Sequence, residues 1–533
     1  MRGIRLRIVL SSVVGILNVC AGLFFVWVSK RLIDIATRSV EGEMKYYIVL
    51  LVGVIGLEIL FSAWKNRLES QTDICLKNRL RYDLFAQLMF SAWDGKERFH
   101  SGDVVNRLEE DVRVVSEAIC KSLPSVFVTA FQFLAAFLFL SQLNHQLAWV
   151  IVFVMPVFLL LSKVYIKRMR KLTQKVRTTD SRVQAHMQEI WQHKVLIQTL
   201  EQNKPVTEKL DGLQSDLYGQ VMSRTNFSVF SRSLVMAGFA TGYVLAFLWG
   251  VNGIYEGVVT FGTMTAFLQL VGMIQRPMLD MSRHIPALAH GLTSAERLKE
   301  LDDLPAEEQG KEWMPLGQVG IRMEGVSFAY PDGERGIIHD FSFDFTPGSR
   351  TAIVGETGVG KSTLIRLMLA LLRPQQGKVL LYNQQEEVEA SPRTRANLVY
   401  VPQGNTLLSG TIRENLLLGH PEASEEQLAE VLFTAAADFV YELPDGLNTL
   451  CGERGAGLSE GQAQRICIAR GLLRPGSVLL LDECSSSLDK QTESVLMERL
   501  LSKAKDKTLI FITHREVVTS YGLDKLKLSF FTS

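Results

Sequence analysis

The chain is 533 residues long, enough for about three to four domain-sized pieces at roughly 150 residues each. Hydrophobic residues make up 47% of it and charged residues 21%, a mixture that excludes disorder and is slightly poor in charge for a purely soluble enzyme, so a membrane part is expected. The net charge of +1, from 57 Lys plus Arg against 56 Asp plus Glu, supplies no global field to hold nucleic acid, and no nucleic-acid partner is expected.

The six cysteines (Cys20, Cys75, Cys120, Cys451, Cys467 and Cys484) contain no C-x-x-C. Their spacing therefore gives neither a zinc site nor a disulfide framework, and suits a reducing or lipid environment.

No charge interrupts the stretch from Ile8 to Val28. At 1.5 Å per residue a run of that length crosses the roughly 30 Å hydrocarbon core, which predicts a transmembrane helix. The run passes through Phe24, Phe25 and Trp27 into Lys30 and Arg31 instead of ending at a small-residue cleavage site, so a removable leader is not expected. Five more spans follow: Tyr46 to Trp64, Leu123 to Leu143, Leu147 to about Tyr165, Ser233 to Tyr255 and Gly257 to Gln275. Six spans put both ends of the region on one side.

Lys and Arg crowd the two long connections, Lys65 to Ser122 and about Ile166 to Arg232, and are missing from the turns Asn144-His145-Gln146 and near Glu256. By the positive-inside rule the N-terminus and those connections are cytoplasmic. The loop carrying Lys30, Arg31, Arg38 and Lys45 opposes this, offset in part by Asp34, Glu41 and Glu43. Apolar residues at helical spacing (Leu76, Leu80, Leu84, Leu88) predict that spans two to five extend into the cytosol as stalks. Glu58, a carboxylate inside the second span, is a functional candidate by position, with Gln132 or Gln269 as possible polar partners. The aromatics Phe127, Phe131, Phe133, Phe137 and Phe139 are spread around their helix too evenly to define a substrate pocket.

Past Gln275 come a charged helix around Glu296 to Glu300 and a polar linker near Pro305 to Pro315. From Ile321 short β-rich runs alternate with helical stretches, among them Arg350 to Val354, Lys378 to Tyr382, Leu398 to Val401, Val478 to Leu481 and Thr508 to Ile512, and predict an α/β domain. The expected boundaries are a membrane-spanning region at 1–305, a linker at 306–320 and an α/β domain at 321–533.

Gly355-Glu356-Thr357-Gly358-Val359-Gly360-Lys361-Ser362-Thr363 fits G-x-x-x-x-G-K-[ST], after a strand at Thr351 to Val354 and before a helix at Leu364 to Leu372. That context makes it a phosphate loop. Its glycines let backbone N–H groups turn toward phosphate oxygens, Lys361 reaches the β and γ phosphates, and Ser362 can hold Mg²⁺. Downstream, the apolar run Val478 to Leu481 ends in Asp482-Glu483. Asp482 is expected to hold magnesium and Glu483 to polarise the attacking water.

Between these lies Leu458-Ser459-Glu460-Gly461-Gln462. With it the chain resembles the ATP-binding cassette exporters: a half-transporter of the type I exporter fold, with its permease fused ahead of its nucleotide-binding domain. The resemblance covers essentially the whole chain, and L-S-x-G-Q separates this family from other P-loop proteins. It implies a six-span helical bundle with cytosolic stalks followed by an α/β P-loop domain, with ATP and Mg²⁺ as ligands. Residue by residue, it implies that Tyr330 in Phe328-Ala329-Tyr330-Pro331 stacks on adenine. Gln403 in Val401-Pro402-Gln403 would touch Mg²⁺ or water, and Asp489 in Ser486-Ser487-Leu488-Asp489 would belong to the D-loop at a dimer interface. His514, after Phe511-Ile512-Thr513, would contact the γ-phosphate, while Ser459, Gly461 and Gln462 would meet a partner's nucleotide. Phe99 to Asp111 and Glu189 to Leu200 resemble the cytosolic turns that dock on nucleotide-binding domains.

Two departures stand out. Glu460 replaces the first glycine of L-S-G-G-Q, leaving Ser459 and Gly461 in place. The chain runs 19 residues past His514 (533 minus 514), so the family's closing strands and helix are expected to be shortened or missing.

The resemblance implies a membrane-embedded dimer, homodimeric over heterodimeric, that exports an unidentified substrate by alternating access. The bacterial cytoplasmic membrane is the expected location, with the ATP-binding domain in the cytoplasm. An importer on the same fold, or an ATP-gated regulator or channel, are the competing functions. The spans carry no motif that names a substrate.

Overall fold

The structure is a computed structural model that describes residues 2–93, 101–143, 145–330, 336–356, 358–452, 457–513 and 521–528. It comprises two compact units, residues 1–85 with 101–302, and residues 86–100 with 303–533.

The first unit is helical. Its elements are α1 (Arg2–Ala36), α2 (Met44–Met89, whose last turn belongs to the second unit), α3 (Ser101–Asn106), α4 (Val112–Glu117), α5 (Leu123–Leu143), α6 (His145–Gln192), α7 (Lys194–Thr199), α8 (Asn203–Tyr255) and α9 (Phe261–Asp302). Two π-helical turns, Arg107–Asp111 and Ala118–Ser122, carry α3, α4 and α5 onward without breaking helical backbone angles. Among the described residues, four helices (Gly3–Ala36, Met44–Met89, Gly102–Leu143 and Asn203–Tyr255) are long and apolar enough to cross a membrane, and Phe261–Gln275 is a shorter apolar stretch. The expected span from Leu147 to about Tyr165 falls inside α6. The expected sixth span starts late: Gly257 stands in a turn at φ +72°, and the helix begins at Phe261.

Helices α1, α5 and α9 pack on one another, α6 lies along α8, and Val26, Ala136, Leu140, Phe267, Leu270 and Ile274 form the buried core of this unit. Phe133, Phe137 and Phe139 pack against that core while Phe127 is exposed. At one end the buried Asp34 carboxylate accepts the backbone N–H of Gly262 at 3.1 Å, tying α1 to the start of α9. Further along, Arg107 donates to Asp103, to Glu300 and to the carbonyl of Arg297 at 2.9, 2.7 and 2.8 Å. Ser294 donates to Asp111 at 2.8 Å. Residues 101–111, expected to dock on the nucleotide-binding half, are therefore held to α9; residues 94–100 lie outside the described residues.

Glu58 pairs with neither expected partner. Gln132 donates its amide to the carbonyl of Met273 at 3.2 Å, and the side-chain oxygen of Gln269 is buried without a hydrogen bond. A Cβ at Gly22 would sit 3.2 Å from both Oε1 of Glu58 and the methyl of Met273, so the absent side chain at Gly22 leaves the room in which the carboxylate lies.

The second unit contains two main sheets. The strands are β1 (Gly320–Phe328), β2 (Ile338–Phe345), β3 (Arg350–Val354), β4 (Gln376–Tyr382), β5 (Glu387–Glu389), β6 (Leu398–Val401), β7 (Gly410–Thr411), β8 (Leu450–Cys451), β9 (Val478–Asp482), β10 (Thr508–Ile512) and β11 (Asp524–Lys527). The antiparallel sheet has the order β2-β1-β4-β5, and the parallel sheet β11-β3-β10-β9-β6. Its helices are α10 (Lys361–Met368), α11 (Ile412–Leu417), α12 (Glu425–Thr434), α13 (Glu460–Leu473) and α14 (Lys490–Lys503).

The Val/Leu/Ile runs of β9 and β10 are buried along their whole length, as a parallel sheet covered on both faces requires. One face meets α10 and the antiparallel sheet through Ile353, Leu364, Ile365, Leu480 and Ile510. The other meets α11 to α14 through Leu416, Leu432, Ile468, Leu481 and Leu496. β11, four residues long, pairs in parallel with β3, so a short closing strand is present.

The last turn of α2 joins this unit by backbone pairing. Ala92 donates to the carbonyl of Pro305 at 2.7 Å, Glu307 to that of Phe90 at 2.8 Å, and the Gln87 amide to the carbonyl of Leu304 at 2.8 Å. The linker is strapped down in turn. Arg395 holds the Glu307 carboxylate through both of its terminal nitrogens, at 2.8 and 2.7 Å, and also donates to the carbonyls of Leu369 and Ala370 just past α10.

Candidate nucleotide-binding site

The chemistry gathers where four parallel strands end, the side of an open α/β sheet at which ligands bind. β3 runs into the phosphate loop, β9 ends in Asp482, β6 precedes Gln403 and β10 precedes His514. Thr357 and His514 lie outside the described residues.

Gly358 and Gly360 take φ of +87° and +101°, the left-handed region open to glycine. A Cβ at Gly360 would come within 2.9 Å of Ile337, so the loop also needs glycine for space. Lys361 opens α10, is buried, and turns its ammonium back onto the carbonyls of Gly355 and Glu356 at 2.8 Å each. Burial pulls its pKa down from the usual lysine value, and the nearby Glu483 and Asp482 partly oppose that shift. The ammonium, held over the loop, is placed to meet an anion there.

Ser362, one residue on, reaches the carboxylate of Asp482 at 3.4 Å, and the Tyr400 hydroxyl reaches the same oxygen at 3.5 Å. Burial raises the pKa of Asp482, and the adjacent Glu483 raises it further. Burial likewise pushes the Tyr400 phenol up to about 12. A hydroxyl beside a buried carboxylate, with no soft ligand, is an oxygen donor set that fits Mg²⁺, which keeps water and phosphate oxygens for its other positions. Ser362 and Asp482 would hold the ion.

Glu483 follows at φ +46°, rare for a residue with a side chain. Gln403 donates to its carboxylate at 2.6 Å, which brings the two predicted residues together. Its backbone N–H donates to the carbonyl of Ile512 at 3.0 Å.

Tyr330 packs edge-on against Phe328 at 5.1 Å, and its hydroxyl is shared between Thr363 at 3.4 Å and Arg366 at 2.9 Å. Arg366 also stacks on the ring of Trp93 at 5.0 Å. Arg366, Trp93 and Tyr400 lie in no motif and were not singled out from sequence; the one local cue is that Tyr400 stands just ahead of Pro402-Gln403.

The signature residues make none of the bonds that join Lys361, Ser362, Gln403, Asp482 and Glu483. Ser459 caps α13: its hydroxyl accepts the N–H of Gln462 at 3.2 Å, and the Gln462 side chain accepts the N–H of Ser459 at 2.9 Å. Gly461 lies against the carbonyl of Ser487, 3.0 Å from where its Cβ would be. Asp489 caps α14, accepting the N–H groups of Gln491 and Thr492 at 3.0 Å each and the Thr492 hydroxyl at 2.7 Å. These bonds lower the Asp489 pKa, that from the Thr492 hydroxyl most.

The chain matches the family described as ABC transporter transmembrane region over residues 8–278 and the family described as ABC transporter over residues 338–486. It is 30% identical over 476 residues to exp8 of Streptococcus pneumoniae, named as an ABC transporter ATP-binding protein, covering 88% of this chain and 81% of that one. The chain is an ABC transporter.

Further relatives of the transporter are the fatty acid ABC transporter ATP-binding/permease protein of Mycobacterium bovis and a protein of Staphylococcus aureus named for multidrug export. Each is 29% identical; both cover 82% of this chain, and the chain covers 69% and 77% of theirs respectively. Among solved structures, a bacterial Atm1-family ABC exporter with ATP bound superposes with a TM-score of 0.82 at 23% identity, over 99% of this chain and 94% of that one. The transporter thus has the exporter fold. It is an integral membrane protein and an ATPase coupled to transport.

Proposed function

We propose that the transporter is one half of a homodimeric exporter that uses ATP binding and hydrolysis to alternate between inward-facing and outward-facing states. The observation that carries this reading is the division of the site. Lys361, Ser362, Asp482, Gln403 and Glu483 form one cluster, while the side chains of Ser459 and Gln462 bond only to each other's backbone, which leaves the signature to serve the nucleotide of a second chain in a composite site. One sequence supplies both halves, so a symmetric pair would carry two competent sites.

In this reading the loop N–H groups and Lys361 bind the phosphates, Tyr330 leaves its packed position to stack on adenine, and Ser362 and Asp482 hold Mg²⁺. The ion supplies charge neutralisation on the phosphates. Glu483, oriented by Gln403, accepts the proton of the attacking water, and His514 meets the γ-phosphate. The exposed apolar surface at the end of α6 and on α7 (Trp191, Val195, Leu196, Leu200) suits docking on a nucleotide-binding domain. The names of the relatives bring fatty acids and drugs forward as substrate classes, and their bacterial sources support the bacterial cytoplasmic membrane as the location, with the ATP-binding unit inside.

The test is flux with its matched ATPase rate. In liposomes, a panel of lipids and amphipathic drugs should include compounds that stimulate hydrolysis and accumulate on the side away from the ATP-binding unit. Glu483→Gln should retain ATP and lose turnover by about two to four orders of magnitude. Flux toward the ATP-binding side, or near wild-type hydrolysis by Glu483→Gln, would overturn the reading.

A further inference from the structure

The backbone of Glu483 is held from a direction that the motifs do not suggest. Gln464, the fifth residue of α13, is 1% exposed. Its amide nitrogen donates to the carbonyl of Glu483 at 3.0 Å, and its amide oxygen accepts the hydroxyl of Ser487. The two bonds fix the amide's orientation, because a carbonyl oxygen can only accept. The N–H of Ser486 reaches the same carbonyl at 3.1 Å.

A residue at φ +46° persists only where its surroundings over-determine it, and Gln464 is one of those surroundings. The first turn of α13 also lies directly on the 485–488 turn through Gly461 and the Ser487 carbonyl. Gly461 and Gln464 are three residues apart on one rigid helix, about 4.5 Å along its axis.

We propose that Gln464 is a positioning residue for Glu483, through which the signature helix of one chain sets the catalytic base of that same chain. This rests on the dimeric reading above. There the start of α13 meets the partner's nucleotide, while Glu483 acts on its own. Engagement of the signature at one composite site is therefore felt, through Gln464, as the backbone position of the base at the other. Loss of the amide donor removes one of the bonds that hold the Glu483 carbonyl and shifts a carboxylate that must lie within hydrogen-bond reach of the attacking water.

Mixed dimers purified through two different affinity tags separate this from a merely structural role. The reference dimer carries Glu483→Gln in one chain only, leaving one working base. In the first arm Gln464→Glu, which keeps an acceptor for Ser487 and loses the donor, is placed in the chain with the intact Glu483. In the second it is placed in the chain that already carries Glu483→Gln. The first arm should lose at least about tenfold in kcat with KM for ATP within about twofold, and the second should stay within about threefold of the reference.

Equal rates in the two arms, whether both kept or both lost, would overturn the proposal. If Gln464→Glu does not fold, judged by melting and by ATP trapping, Ser487→Ala in the same two arms decides, with the same asymmetry expected at about threefold. Dimers with Glu483→Gln in both chains report on the base itself. Undiminished hydrolysis there would overturn the reading of Glu483, and this inference with it, whereas an inactive double variant with symmetric arms overturns only the role of Gln464.

Discussion

All five residues of β9 are buried, whereas the apolar stretch of α2 that is long enough to cross a membrane is 6% buried. The two segments are comparably hydrophobic. In the nucleotide-binding unit, Val478 to Leu481 leave water by packing against protein on both faces, and the density of those contacts fixes the strand's place to within a side chain. In the helical unit Val49, Val52 and Ile59 are exposed, because lipid or a second chain is their solvent. Hydrophobicity in this chain thus reports which solvent a segment meets, and burial has to be earned separately.

The same contrast holds for polar groups. Asp482 is buried among a serine, a tyrosine and Glu483 at the site. In the apolar part of the helical unit Gln132 turns instead to the backbone carbonyl of Met273, which satisfies its amide where water is absent, and the Gln269 oxygen is left without a hydrogen bond.

The largest expected effect that sharpens this contrast is in the sheet. Leu480→Ala removes a fully buried side chain from between two faces and should cost about 2 to 5 kcal/mol, read as a lower melting temperature of the ATP-binding unit. Next comes Val52→Lys, which puts a charge on the exposed face of α2 and should cost about 2 to 3 kcal/mol of insertion, read as the glycosylated or protease-protected fraction in a membrane-insertion assay. If Val52→Lys inserted and functioned like wild type, that face would be meeting water, and the comparison would fail.

A smaller effect is expected from Trp93→Ala, which removes the ring under Arg366. A cation–π contact is worth about 0.5 to 1 kcal/mol at a partly exposed site, so KM for ATP should move by about two- to fivefold, with kcat nearly unchanged. The smallest is Val52→Ala. It should change stability by less than about 0.5 kcal/mol, because no cavity forms where lipid fills the space, and a loss matching that of Leu480→Ala would place Val52 in a protein core.

Legibility in the sequence followed the range of the interactions. The phosphate loop, the Asp482-Glu483 strand end and the signature were readable because each is a local pattern set by what a phosphate or a helix start requires. The order of strands and helices followed from their periodicity. What local pattern could not show was set by contacts between distant residues. Gln464 looks like any polar residue on α13 until the Glu483 carbonyl arrives beside it. Residues 101–111 read as a docking turn, and the bonds of Arg107 and Asp111 to α9 carried no local signal, nor did the backbone pairing of Phe90 and Ala92 with Pro305 and Glu307. Glu58 was expected to find an amide, and Gln132 had a nearer carbonyl. The closing part was expected to be shortened or missing, and the short β11 could not be placed from sequence because Asp524 to Lys527 is polar and takes its register from β3.

The pairing of Phe90 and Ala92 with Pro305 and Glu307 also dictates an order of assembly. Gln87 and its partner Leu304 are 217 residues apart in the chain, so the end of α2 leaves the ribosome long before the segment it pairs with exists. During synthesis the edge at residues 90–92 waits unpaired through the making of α3 to α9, and an unpaired edge is where chains pair wrongly. A ribosome pause or a chaperone would be felt most in that interval, and a fragment starting at residue 321 would be born without the strap of residues 304–316 and the α2 end that close its surface.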